Sequence, residues 1–290
     1  MTQPRYEPRA RFAALRSPRG FPAKAAGLWC AGSLEGLARP CVAVVGTRSA
    51  TPYGRRLARG FARELAAAGC CILSGLALGI DACAHEGALD AGAPTIGVLG
   101  GGHDHFFPRR NLVLAERIVA GGGAVLSPFA PEHPALPAQF LERNGVVAAL
   151  ADAVLVVEAP ARSGALNTAS WAAGHVPVLA VPGDVDRPHV AGCLALIRDG
   201  ALLARTAADV LEALNLPLLL LDEKRAPQIH APADPTARSL LALLAAGERD
   251  LDDLIAASGA TPAAALAALA LLEIDGHVEP LGASRYARRR

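Results

Sequence analysis

The sequence predicts an α/β protein: an open parallel sheet with helices on both faces, followed by a small unit of three helices and a β-wing. Three observations carry that expectation. Short apolar runs alternate with helical patterns from residue 41 to 214, the runs are apolar at consecutive positions, and the pattern changes after residue 214. Strands apolar on both faces belong to sheets covered on both sides, and alternation with helices makes such sheets parallel.

Residues 1–40 are rich in Pro, Arg and Ala with weak periodicity and are expected as an irregular lead-in. The apolar runs follow at 41–46, 70–75, 95–100, 124–127, 153–158, 177–181 and 201–204. Helical segments are expected near 53–68, 81–91, 110–120, 140–150, 164–174 and 206–214. Together 41–214 form the main domain. The stretch 215–235 mixes an apolar patch with prolines and charges and reads as a linker. Residues 236–290 form the second domain. Leu240, Leu241, Leu243 and Leu244 mark one helix, 251–258 a second that Gly259 ends, and Thr261 caps a third with Pro262 in its first turn. Gly276 to Gly282 then suggest a hairpin, which completes a winged helix.

A hydrophobic fraction of 52% with 19% charged residues describes a globular chain with a core, not a disordered one. Net charge is +1, so any affinity for nucleic acid must come from a local patch. Lys24 and Lys224 are the only lysines; arginine, the better shape for phosphate, carries the rest of the positive charge. The cysteines form no CxxC, no apolar stretch has membrane-spanning length, and the opening MTQPRYEPRARF is unlike a signal peptide. A reduced, cytoplasmic protein that does not engage a membrane is expected.

Two glycine-bearing turns stand at the ends of apolar runs: GTRSATPYG at 46–54 and SGLALGID at 74–81. Strand ends of an open α/β sheet carry its ligand crevice. Gly46, Arg48, Ser74 and Gly75 are therefore candidate ligand residues, and the helix opened by Thr51 and Pro52 offers N–H groups to an anion. Arg55, Arg59 and Arg63 share one face of that helix, with Arg56 beside them, as a ligand face or a solvated one. QFLERNGVV at 139–147 holds Phe140, which either stacks a base or packs in the core. Ser163 and Gly164 in RSGALNTA open a further helix.

Other chemistries lack their residues. The spacing GxGxxG is absent at 46 and at 100–102, Walker A is absent, and so is GxSxG, which disfavours dinucleotide enzymes, ATP hydrolysis and serine hydrolysis. His103 and His105 around Asp104, and His85 four residues after Asp81, fall short of a metal site and are expected to cap or hydrogen-bond. From 236 to 276 two basic residues face six acidic ones, and the third helix carries no side chain that reads a base; its Ala/Leu surface suits a protein contact.

With these pieces in order, the chain resembles the DNA-processing protein A family, also called DprA or Smf, from about residue 20 to 290. GTRSATPYG, SGLALGIDACAHEGAL, GAPTIGVLGGG with FPRRN, QFLERN, VLVVEAPARSGALNTA, AVPGDVD and GCLALIRDGA carry the resemblance. It implies an extended Rossmann-like domain that binds single-stranded DNA, a homodimer, loading of RecA recombinase during natural transformation, and no catalysis or cofactor. By position it implies Gly46 and Arg48 in the first loop, Ser74 and Gly75 in the second, Arg109 and Asn111 in the P-x-x-N turn after Pro108, then Phe140, Arg143, Asn144, Ser163 and Gly164. Arg48 and Arg143 would contact phosphates, backbone N–H groups near the glycines would cradle them, and Phe140 would stack a base. The chain departs from the family pattern at Leu141, Gly145, Asn167 and Leu194, and no lysine lies between 128 and 140. Fewer cations imply weaker binding and a shallower salt dependence. Two rivals are a nucleotide-cleaving phosphoribohydrolase, whose PGGxGTxxE motif is matched only in place by RSGALNT, and a scaffold that keeps protein contacts alone.

Overall fold

The computed structural model describes residues 3–12, 26–217, 234–274, 277–282 and 284–288. It divides into two units, 1–222 and 223–290. In the first, the strands in chain order are β1 (Arg5–Pro8), β2 (Gly27–Gly32), β3 (Cys41–Gly46), β4 (Cys71–Ser74), β5 (Thr95–Val98), β6 (Ala124–Ser127), β7 (Ala153–Glu158), β8 (Val178–Ala180) and β9 (Leu202–Leu203). The helices are α1 (Pro52–Ala67), α2 (Ile80–Asp90), α3 (Leu112–Ala120), α4 (Pro137–Leu150), α5 (Gly164–Ala172), α6 (Ala191–Arg198) and α7 (Ala207–Ala213).

Alternate residues of each central strand enter opposite layers, as the pleat requires. Cys41, Ala43 and Val45 of β3 pack with Val146 to Leu150 of α4, Ala165 and Ala169 of α5, and Cys193 of α6. Val42 and Val44 pack with Ala58, Phe61 and Leu65 of α1, Ile80 and Ala84 of α2, and Leu211 of α7. The cysteines are unpaired thiols, all but Cys83 buried, and they serve as small apolar residues. Among the described residues no single helix is long and apolar enough to cross a membrane.

The strands form one sheet in the order β1-β2-β6-β5-β4-β3-β7-β8-β9. The run from β6 to β9 is parallel, with β3 paired to β4 on one side and to β7 on the other. This is the doubly wound arrangement the alternation predicts. The N-terminal segment is different from its expectation. β2 pairs antiparallel with β6, and β1 pairs antiparallel with β2, so part of 1–40 is ordered sheet, not an irregular lead-in. Trp29 of β2 packs edge-on against Tyr6 of β1, with ring centroids 5.4 Å apart. Residues 218–233 of the expected linker, and Lys24 and Lys224, lie outside the described residues.

The second unit runs α8 (Pro235–Leu243), β10 (Arg249–Asp250), α9 (Leu251–Ser258), α10 (Pro262–Ile274), β11 (Val278–Gly282) and β12 (Arg285–Arg288). Leu240, Leu244, Leu254, Leu269, Leu272 and Val278 make its core. Gly259 adopts the left-handed conformation, φ 68°, that closes α9, and Thr261 Oγ1 accepts from the Ala264 N–H at the start of α10. β11 and β12 form the wing, with β10 paired to β12. This unit is a winged helix.

One buried side chain of the first unit ties stability to pH. His85 of α2 is fully buried, and its Nδ1 lies 2.8 Å from Thr95 Oγ1. The threonine hydroxyl itself donates to the Ile72 carbonyl, so it accepts from a neutral, Nδ1-protonated imidazole. Burial, then the charge of Arg143, pushes the His85 pKa from 6.5 down to about 3. The unfolded chain therefore binds a proton that the folded one refuses between those values, and stability falls as pH drops below about 6.5. Unfolding free energies from urea titrations between pH 7 and pH 4 should decline with a slope approaching about 1.4 kcal/mol per pH unit from this group. His85→Asn, which keeps a donor for Thr95, should flatten that decline; an unaltered slope would assign it to other groups.

Candidate nucleic-acid interface

Strand order reverses between β3 and β7: the chain winds outward from β3 through β4, β5 and β6 on one side and from β7 through β8 and β9 on the other. The loops leaving these two strands run apart, and a crevice opens between them at the carboxyl edge. A cleft of about 240 Å³ sits there, lined by the loop after β3, the turn after β4, α4 and the start of α5.

Arg143 of α4 forms its floor. Its guanidinium is buried, with Nη1 donating to the carbonyl of Gly75 and, at 2.7 Å, to that of Val98, while Nε donates to Asn144 Oδ1 at 3.1 Å. The ends of β4 and β5 are thereby tied to α4. Gly75 is required by this contact, because a Cβ there would collide with the guanidinium. Across the turn, the buried Asp81 accepts from the N–H groups of Gly75 (3.1 Å) and Ala77 (3.3 Å). Burial raises the Asp81 pKa against the pull of Arg143. Burial lowers that of Arg143 to about 10; Asp81 opposes the shift and Arg48 adds to it.

Arg48 is the exposed counterpart. Its Cζ lies 5.3 Å from the centre of the Phe140 ring, and that of Arg143 lies 5.8 Å from the same centre. Phe140 is half-buried, pressed against Gly100, where a Cβ would approach the ring to 2.7 Å. Two guanidiniums thus share one aromatic ring at the cleft. Arg162, Thr47 and Ser49 add further donors to the lining.

The two helix N-termini near the cleft are not equivalent. That of α1 already holds an anion: the buried Glu158, at the end of β7, accepts from Thr51 N–H and Thr51 Oγ1, each at 3.1 Å from Oε2. Gly54 leaves the room this carboxylate occupies. The expectation that α1 presents free N–H groups to a ligand is therefore corrected. The start of α5 is open. Ser163 caps it by accepting from Ala165 N–H at 3.3 Å, and Gly164 is exposed with only Asn144 Nδ2, 3.7 Å from a built Cβ, nearby. Asn144 Nδ2 donates to the Gly164 carbonyl (3.0 Å) and to Asn167 Oδ1 (3.4 Å), so the departure at Asn167 buttresses this turn.

The structure brings Gly46, Arg48, Gly75, Arg143, Asn144, Ser163 and Gly164 to the cleft lining, with Phe140 under Arg48. Gly46 serves packing: a Cβ there would meet Ile80 and, at 2.8 Å, the Glu158 carbonyl. Ser74 is corrected from ligand contact to scaffold, since it is fully buried and its Oγ donates to the Val44 carbonyl at 2.7 Å. Asn111 is corrected likewise; its Nδ2 holds the carbonyls of Leu76 (2.9 Å) and Ala77 (3.0 Å) and fixes the turn after β4. Arg109 is exposed on a 3-10 turn and does not line the cleft. Of the helix arginines, Arg59 binds Asp90 of α2, Nη2 to Oδ1 at 3.0 Å, and Arg55 Nε donates to the Ala50 carbonyl. Arg162, Thr47, Ser49 and Asp81 are lining residues that the sequence reading did not single out for the site. All four stand inside or beside the motif segments quoted for it. His103 Nε2 donates to the Val125 carbonyl at 3.0 Å, and the described residues hold no cluster fit for a metal ion.

The fold and cleft define an open α/β protein with an arginine-lined crevice, an aromatic ring beside it, at its topological switch point. A winged helix follows it in the chain. The chain belongs to the DNA recombination-mediator protein A family, whose model matches residues 14–215, and the DprA winged helix domain matches residues 224–283. A Mycobacterium tuberculosis relative named as a DNA processing protein DprA is 40% identical over 258 residues, 87% of this chain and 66% of the relative. Protein Smf of Escherichia coli is 39% identical over 206 residues, 71% of this chain and 55% of its own length. The chain thus spans under two thirds of the length of these relatives. Among solved structures, DNA processing protein A of Streptococcus pneumoniae superposes with a TM-score of 0.61 at 37% identity, over 65% of this chain and 66% of that one. DNA processing protein A of Helicobacter pylori, described for its single-stranded DNA binding mode, superposes with a TM-score of 0.60 at 30% identity, over 68% of this chain and 90% of that one.

Removing the buried guanidinium leaves two carbonyls without donors and Asp81 without its opposing charge. Arg143→Ala should cost about 3–5 kcal/mol of unfolding free energy in urea titration. A loss below about 1 kcal/mol would show that the strand ends hold their positions without it.

Proposed function

We propose that this chain binds single-stranded DNA in the switch-point cleft, without catalysing a reaction, and delivers the strand to a RecA-type recombinase during DNA uptake. One observation carries the reading: the guanidiniums of Arg48 and Arg143 converge on the ring of Phe140. Asp81 opposes the charge of Arg143, so the exposed Arg48 is the charge at this ring that calls for an anion, and the part-exposed ring adds an aromatic surface beside it. Phosphate and base side by side meet both demands. A single strand can splay a base onto the ring; a duplex keeps its bases stacked inside. Arg162 and the open N-terminus of α5 supply further phosphate donors. Asp81, which lines the cleft, and Glu158 at the end of β7 are both engaged by backbone or hydroxyl donors, which leaves neither free as a general base and favours binding over phosphoribohydrolase chemistry.

In this reading residues 41–214 hold the strand, 215–235 join the parts, and 236–290 contact protein. The outward side of α10 exposes Leu266 and Leu271 and carries no basic residue, which suits a protein partner better than a DNA groove. Leu202 and Leu203, half exposed on the terminal strand β9, favour a homodimer joined at that edge. The unpaired thiols fit the reducing cytoplasm, where the recombinase works.

Anisotropy of a labelled oligo-dT, at low and physiological salt and against duplex of equal length, tests the reading. Binding should favour the single strand and weaken as salt rises. Arg48→Ala should weaken it at least about tenfold, the value of a charged hydrogen bond. Equal affinity of the wild type for single strand and duplex, or an Arg48→Ala variant that binds as the wild type does, would overturn the assignment.

A further inference from the structure

Phe107 is a large apolar side chain that the core does not use. It is 52% exposed, although both its neighbourhoods are fixed. Phe106 before it is buried with Leu76, Leu99 and Ile118, and Asn111 after it is locked onto the carbonyls of Leu76 and Ala77. A loop anchored at both ends thus holds an aromatic ring in solvent. That ring stands edge-on to Phe140, with centroids 5.8 Å apart and planes at 69°. Beyond it, Arg109 and Arg110 are exposed and form no ion pair among the described residues. Arg48 lies over Phe140, Phe107 stands beside Phe140, and the exposed Arg109 and Arg110 follow Phe107 closely in the same loop, so cations flank the two aromatic rings.

We propose that Phe107 is a second stacking platform, over which a single strand leaves the cleft toward phosphate contacts at Arg109 and Arg110. This rests on the reading of the cleft as a single-strand site and extends it by one platform. Stacking on successive aromatic rings along a cationic path is how sequence-tolerant single-strand binders hold DNA. The ring spacing exceeds the rise of about 3.4 Å between stacked bases, so adjacent bases cannot seat on both rings and remain stacked on each other. The steep angle between the rings turns one base relative to the next. Only an unpaired strand accepts that turn, so Phe107 adds discrimination against duplex as well as affinity. Arg109, which stands outside the cleft, acquires its contact at the far end of this path.

The test compares two oligo-dT probes, one of about four nucleotides that fills the cleft and one of about sixteen that runs past it. Phe107→Ala should weaken the long probe at least about fivefold and leave the short probe unchanged, and Phe107→Tyr should restore the long-probe affinity. Joint replacement of Arg109 and Arg110 by Ala should make the salt slope shallower by about 1.4, for the long probe only. Long-probe binding by Phe107→Ala equal to the wild type overturns the platform while the cleft reading stands. Equal weakening of both probes also overturns it, since Phe107 would then merely support Phe140. A wild type that binds neither probe removes the cleft reading and the platform with it.

Discussion

The guanidinium of Arg143 is the contact on which the cleft depends. It is buried, yet it joins the carbonyl ends of two strands to α4 and orients Asn144, which in turn holds the turn before α5. Three loops from distant parts of the sequence thereby keep a common geometry. A charge removed from water in this way is stable only when its donors are matched, and backbone carbonyls at strand ends supply the match. Its position also places a fixed positive charge beneath the surface, so that Arg48 above it lies in a field that favours an anion. The net charge of +1 is thus no guide to the local potential.

Carboxylates shape the same region by what they withhold. Glu158 fills the N-terminus of α1 and removes it as a phosphate site, while the N-terminus of α5 stays open. A sheet with two equivalent helix termini at its switch point would hold an anion between them. Here only the α5 terminus stays open, on the side of Arg162 and Gly164. Asp81 plays a similar part at the second turn, where its Oδ2 takes the N–H groups of Gly75 and Ala77 that a ligand would otherwise use.

What the sequence reveals and what it conceals follow from how far each feature reaches. The parallel strands are legible because runs such as CVAVVG and AVLVVE are apolar at consecutive positions, which leaves few alternatives. β2 is not, because GLWCAG has glycine at both ends and no strict alternation; its strand form comes from pairing with β6, far along the chain. α6 is hidden by Gly192 in its first turn and by the proline turn before it. Arg48, Phe140 and Gly164 can be picked out because loop and helix-start positions expose them. Ser74 and Asn111 carry the same polar signal, but the carbonyls of Val44, Leu76 and Ala77 that capture them are set only by the packed fold. The role of Glu158 is concealed for the same reason, since its target helix begins more than a hundred residues earlier.

The two margins of the large sheet differ in a way that limits how copies of this chain can assemble. At the β1 margin Glu7 forms ion pairs with Arg5 and Arg11, and Pro8, which lacks an N–H, ends the strand. Such a margin repels another strand. The β9 margin is short and apolar. A sheet with one closed and one receptive margin cannot grow into a fibre, because each added copy turns its receptive margin inward and shows its closed one outward. Any strand-to-strand addition through this sheet would therefore stop at a twofold pair.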